Sequence, residues 1–240
     1  MNIRQLLIFS FLLSFALNVS AQSEYVKRPN DSIRLEYKLS SSSDQDTVYE
    51  VSMFKYDKMV ETFYLKNNMT VGKYKSFYDD GERLMDGFYN QQGKADGNWT
   101  RYHKGGNLAS KLTYKNGALN GMAIFYYPSG KTREFGNFRS ETYNFMISGM
   151  NVPHLVESRV GAWEYYHENG GLKAKGEFWF DEIPMRSPQE SIDAIESMET
   201  GEFMKPWRAD LKHGRWQYWD PEGKMIREEI YEKGELIETR

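Results

Sequence analysis

One spacing recurs five times along this chain. Gly72 and Gly81, Gly97 and Gly106, Gly121 and Gly130, Gly161 and Gly170, and Gly214 and Gly223 each stand nine residues apart. Five residues after the first glycine comes an aromatic ring: Phe77, Tyr102, Tyr126, Tyr166 and Trp219. Eight residues after the second glycine comes another: Tyr89, Tyr114, Phe138, Phe178 and Tyr231. Four positions kept in step through five units define a repeat protein before any other property is considered.

Within each unit the first arm runs from glycine to glycine, as in GNWTRYHKGG and GAWEYYHENG. Counting the first glycine as one, position three is Tyr74, Trp99, Ala123, Trp163 or Trp216. Asp, Asn, Pro, Ser and Gly gather before the second glycine, the chemistry of a tight turn. The second arm then runs to a further turn, at Asn116-Gly117 or Lys233-Gly234. Each unit therefore reads as a β-hairpin of 24 or 25 residues. One hairpin is marginal in water, so the units must add edge to edge. The expected fold is all-β, an elongated single-layer meander of consecutive hairpins.

The repeat domain is expected over 47–240, with units starting at 72, 97, 121, 161 and 214. A degenerate cap occupies 47–71, where Tyr49, Met59 and Tyr64 keep the offsets and Thr47 and Tyr56 replace the glycines. Insertions at 140–160 and 181–213 break the rhythm. In the second, Ser187-Pro188-Gln189-Glu190 forms a capping box, with Ile192, Ile195 and Met198 following and Gly201 as a stop. That predicts one short helix over 188–199. Residues 22–46, which include SSSDQD, read as a flexible lead-in. One conflict stays open: positions three and six differ in parity, so a regular strand sends them to opposite faces. A bulge, an early strand end, or aromatics on both faces would each resolve it.

The N-terminus has the form of a cleavable signal. Arg4 precedes the apolar run Leu6–Leu17, and Val19-Ser20-Ala21 supplies small residues at the cut, giving a signal peptide over 1–21. Those twelve residues fall short of the roughly 20 that span a bilayer. Export to the periplasm, outer surface or exterior is the expectation. Met1–Ala21 carries Arg4 and no acid, so the remainder has 30 basic against 34 acidic side chains. That balance argues against nucleic acid and gives no electrostatic ground for peripheral membrane contact. With no cysteine, disulfides, thiolate metal sites and cysteine nucleophiles are excluded. Packing must hold the chain, and an aromatic content of 15% is the means.

The alternation G-x-W-x-x-Y, turn, then K-x-x-x-x-Y-x-N-G resembles the bacterial variant of the membrane occupation and recognition nexus (MORN) repeat, from Gly72 to about Ile237 apart from the insertions. The resemblance implies a sheet of consecutive hairpins serving as a scaffold and protein-interaction module, with some members proposed to contact lipids. Bacterial relatives are often labelled antitoxin-like, whereas the signal sequence here leads out of the cytoplasm. The family motif is structural, so it transfers no catalytic residue.

Chemistry is sparse. His103 and His167 share a repeat position in units that are not adjacent, which favours a polar residue at the strand-to-turn boundary over a metal pair. Asp44, Asp46, Asp79, Asp80 and Asp86 lack calcium-loop spacing. No nucleophile elbow, zincin motif or phosphate loop occurs. Neither cofactor nor metal is expected, and the chain reads as a non-enzyme. The candidate binding residues are Trp99, Tyr102, Trp163, Tyr166, Trp216 and Trp219. For position three, filling the core is favoured over an exposed stacking platform, because every unit needs something to bury. The function expected is an exported scaffold that binds an envelope or secreted protein. The alternative is a cell-wall or surface carbohydrate-binding module, since G-x-W hairpins are also similar to choline-binding and glucan-binding wall repeats. Pairing of the last edge strand with a second copy would give a homodimer.

Overall fold

The structure, a computed structural model, describes residues 22–28, 31–42, 46–147, 150–180 and 210–240. All regular structure among them is β-strand, and within each of two units every strand pairs antiparallel with the next in the chain. Two compact units are distinguished, Met1–Leu108 and Ala109–Arg240.

The first unit holds β1 (Gln22–Arg28), β2 (Asp31–Ser42), β3 (Thr47–Lys55), β4 (Lys58–Lys66), β5 (Met69–Phe77), β6 (Arg83–Tyr89) and β7 (Gly97–Tyr102). Its core is Val51, Leu65, Val71, Tyr74 and Trp99. Tyr89 packs edge-on to both Tyr74 and Trp99. The second unit holds β8 (Leu108–Lys115, from Ala109), β9 (Ala118–Tyr126), β10 (Thr132–Ile147), β11 (Met150–Tyr166), β12 (Leu172–Trp179), β13 (Leu211–Trp219), β14 (Met225–Glu232) and β15 (Glu235–Thr239). Its core is Ala123, Trp163, Phe178 and Trp216, packed on by Leu112, Phe125, Phe138, Tyr165, Tyr218 and Tyr231.

Two kinds of turn explain the punctuation. Inside each hairpin the amide of the second glycine donates to the carbonyl three residues back, as in Gly81 to Tyr78 (2.9 Å) and Gly130 to Tyr127 (2.8 Å). The glycine there has φ near +85°, which a side chain would strain. Short joins between arms are two-residue turns with positive φ at both positions: Tyr56-Asp57, Asn67-Asn68, Asn116-Gly117 and Lys233-Gly234. That is the mirror-type turn whose twist matches the flanking strands.

Both faces of the sheet carry aromatics, and a bulge accompanies the change of side. Position five faces the same side as position three: Tyr165 stacks on Trp163 at 6.2 Å. Position six points the other way. Between positions five and six the register shifts on the second arm, leaving out Leu84, Arg133, Lys173 and Ile226 in turn. The second arm is re-phased there while the first stays regular.

Residues 22–46, expected as a flexible lead-in, instead contain β1 and β2. Ile33, Leu35, Tyr37 and Leu39 alternate with Arg34, Glu36 and Lys38, a period of two that the following serines obscure. The register runs from Ile33↔Lys55 to Ser42↔Thr47. The insertion at 140–160 lengthens a hairpin, with β10 and β11 pairing from Ser140↔Glu157 to Ile147↔Met150. Residues added beyond the usual join hold no repeat offset, which is why they matched no position. The helix expected over 188–199 lies outside the described residues.

Candidate functional site

Position three is built into the core. Trp99, Trp163 and Trp216 are 8%, 0% and 2% exposed. The reason lies in both glycines around them. Gly161-Ala162-Trp163 stands opposite the single residue Gly136, and Gly214-Arg215-Trp216 opposite Gly176. The left-handed φ of Gly161 (+64°) and Gly214 (+63°) forms this widening. It lays each indole on the facing glycine. A Cβ at Gly87, Gly136 or Gly176 would meet Trp99, Trp163 or Trp216 at 2.3 Å. Where position three is Ala123, its register partner is Leu112 instead. These second-arm glycines stand six residues after the second glycine of their units, a sequence signal of the tryptophan seats that lies outside the nine-residue glycine pairs.

Removing the tryptophans from the surface leaves position six on the opposite face. In the second unit a row of register partners crosses six strands on that face: Ile124, Phe135, Glu164, Lys175, Gln217 and Glu228. Beside it lie Tyr166, opposite Leu172, and Trp219, opposite Met225. Phe135 stacks on Tyr166 with ring centroids 6.1 Å apart and planes 19° apart. Phe135 is 36% and Met225 48% exposed. The Tyr166 hydroxyl donates to Glu164. Burial, and then that carboxylate, push the phenol up to about 12. Lys175 lies 5.7 Å from the Trp219 ring centre, and Gln217 donates to Glu228 at 3.0 Å. The result is a mixed apolar and charged surface on a backbone held by ladder hydrogen bonds.

The structure thus brings two of the six candidates, Tyr166 and Trp219, to one open face of the second unit. Tyr102, in the first unit, has different company. Its hydroxyl donates to Asp86 at 3.1 Å, and the Arg83 guanidinium lies 5.5 Å from its ring centre. Trp99, Trp163 and Trp216 fill cores.

The shared histidine position has a structural task. The residue after position six reaches the next unit: Tyr78 donates to the Tyr102 carbonyl at 2.8 Å and Tyr127 to that of Tyr166 at 2.7 Å. At His167 an imidazole replaces the phenol, 2.9 Å from the Trp219 carbonyl. A carbonyl only accepts, so Nε2 carries the proton. Among the described residues no three histidine or carboxylate side chains gather as metal ligands would.

Titratable groups gather on the core side of the last unit. Lys212 Nζ lies 4.7, 5.4 and 4.8 Å from the ring centres of Trp216, Tyr218 and Tyr231. It donates to the Tyr218 hydroxyl at 2.7 Å and is 3.8 Å from Glu229. Burial lowers the Lys212 pKa, with Glu229 opposing. Burial acts upward on the Glu229 carboxyl, but the Tyr218 and Tyr231 hydroxyls with Arg227 and Lys212 hold it below its ordinary value. Burial and then Glu229 raise both phenols.

Three stretches, 95–116, 159–179 and 212–233, match the model of the MORN repeat variant family. Each begins two residues before a first glycine and ends close after the distal aromatic. No curated protein matches the chain. Among solved structures, the crystal structure of TarM is similar at 15% identity and a TM-score of 0.25, over 40% of this chain and 21% of that one. The match therefore spans about a fifth of that protein's length, and a likeness so loose carries no argument. Three of the hairpins, at 95–116, 159–179 and 212–233, are thus repeats of the MORN variant type.

Proposed function

We propose that this chain is an exported, non-enzymatic repeat scaffold of the cell envelope that docks a protein partner on the open face of its second unit. One observation carries the reading: the tryptophans are consumed by the core on one face, while Phe135, Tyr166, Trp219 and Met225 stand partly exposed on the other. Aromatic and methionine side chains flanked by Glu164, Lys175 and Glu228 have the composition of a protein interface, apolar at the centre and charged around it. The family supports a scaffold, its repeats being interaction modules. Export rests on the signal-like residues 1–21.

A second reading has an observation of its own. Tyr166 and Trp219 sit two strands apart, about 9.6 Å from strand spacing alone. The disaccharide repeat of an extended β-1,4-linked glycan is of similar length. Rings at that interval would stack alternate sugars.

Affinity capture from native envelope extract, with residues 22–240 as bait, separates the two. A Phe135→Arg/Met225→Arg variant and a variant lacking 181–209 run alongside, after both are checked for native β-sheet signal. One stoichiometric protein, lost only from the charged-face variant, supports the docking face. Loss only from the deletion variant moves the contact to the insertion. Enriched glycan without a stoichiometric protein overturns the protein reading and supports the second.

A further inference from the structure

The second position before the first glycine differs among the units in a way that tracks the insertions. Units reached through short joins have Thr70, Ala95 and Leu119 there. The two units that follow insertions have Arg159 and Lys212. Both cations fold back over the tryptophan of their own unit. The Arg159 guanidinium is 4.8 Å from the Trp163 ring centre and 5.8 Å from that of Phe178. Lys212 sits among Trp216, Tyr218 and Tyr231. Each also has a carboxylate on the core side: Glu134 at 3.9 Å from Arg159 and Glu229 at 3.8 Å from Lys212.

A short join sets register through its turn. Asn67-Asn68 and Asn116-Gly117 have positive φ at both positions, and Gly93 closes on the Asn90 carbonyl at 3.0 Å. The insertion at 140–160 keeps a continuous ladder out to Ile147↔Met150, so β11 returns in register through its own hairpin, whereas β13 follows 181–209 with no described turn leading into it. The returning strand can then pair out of step, and a one-residue slip sends every side chain to the wrong face. Asp210, immediately before β13, adds a link between the two returning strands. Its carboxylate accepts from the Arg159 amide at 2.7 Å and pairs with the guanidinium at 3.4 Å, while its own amide donates to Ser158 Oγ at 2.8 Å.

We propose that Lys212 is a register clasp: a cation held in an aromatic cage that fixes where β13 re-enters the sheet after the insertion at 181–213. It is a positioning residue for the sheet, doing there what a tight turn does at the short joins. The scaffold can then carry an added segment at this join without loss of strand order.

The test is Lys212→Met, which keeps the stem and removes the charge, in the full chain and in a chain whose residues 181–209 are replaced by Asn-Gly. In the full chain, amide exchange at 211–216 should accelerate at least about tenfold relative to β8 and β9, with Tm lower by about 2–4 °C. In the shortened chain the same substitution should cost less than half as much. An equal cost in both chains overturns the proposal. If the shortened chain does not fold, exchange decides: rates at 211–216 that rise no more than those of β8 and β9 overturn it equally.

Discussion

Trp163 lies flat on Gly136, so closely that a single added Cβ would stand 2.3 Å from the indole. The same seat recurs for Trp216 on Gly176. One unit before Trp163 in the repeat series, Leu112 faces Ala123. The large and small partners have exchanged sides while the pair keeps its place, so the unit conserves volume at this point instead of residue identity.

Gly136→Ala should therefore destabilise the chain by about 1–3 kcal/mol through overpacking. Trp163→Ala alone should cost about 3–5 kcal/mol through the cavity it leaves. The double variant Gly136→Leu/Trp163→Ala imitates the Leu112–Ala123 pair and should cost less than the sum of its single changes. Urea denaturation of wild type, Gly136→Leu, Trp163→Ala and the double variant gives the coupling; strict additivity would show that the seat is not a shared volume.

His167→Ala removes the donor that reaches the Trp219 carbonyl and should cost about 1 kcal/mol. His167→Tyr should restore most of it, because Tyr127 makes the same bond at 2.7 Å one unit earlier. Denaturant midpoints of the three chains decide the point. Tyrosine performing no better than alanine would show that the interaction depends on the imidazole.

Alkaline pH should loosen the second unit. Burial pushes Tyr165 and Tyr166 up to about 12, and Tyr218 and Tyr231 are raised as well. A raised acid favours the folded state fully below its unfolded value and loses that contribution as pH rises toward the folded one. Stability should thus fall from near pH 10 to pH 12. The lowered pKa of Lys212 acts oppositely, with its effect lying below the ordinary value of 10.5, since the folded state favours its neutral form. Ultraviolet titration of the phenols beside denaturation at stepped pH checks the sign; stability that holds steady through this window would contradict it.

On the acid side the relevant group is Glu229, whose carboxyl is held below its ordinary value. Its contribution is present above the unfolded value of about 4.5 and disappears as pH falls through the lower folded value. Glu229→Gln should lower stability at pH 7 and flatten its dependence below pH 5. A parallel pair of acid titrations of wild type and variant, displaced but equal in slope, would assign the dependence elsewhere.

The hairpin order was legible because turn chemistry and glycine spacing are local. Gly81, Gly130 and the Asn116-Gly117 pair bend the chain whatever surrounds them, and they punctuate the sequence visibly. Strand β2 is hard to read in the sequence because its alternation, from Ile33 to Leu39, sits beside a serine run that reads as disorder. At the candidate site the burial of position three was the favoured expectation, because every unit needs something to bury, and Trp99, Trp163 and Trp216 are indeed core; which side position six takes stayed open. Trp216 and Trp219 are three residues apart in one strand, yet one is 2% exposed while the other lies on the open face.

By itself, then, the sequence determined the repeat, its antiparallel order and its turns, because those follow from backbone preferences within a few residues. Burial of position three was already the favoured expectation; only the tertiary structure decided what each of those rings is buried against. That choice depends on the glycine facing each tryptophan from the neighbouring strand, Gly136 lying 27 residues before Trp163 and Gly176 lying 40 before Trp216. Burial is a property of two strands meeting, and no single strand carries it.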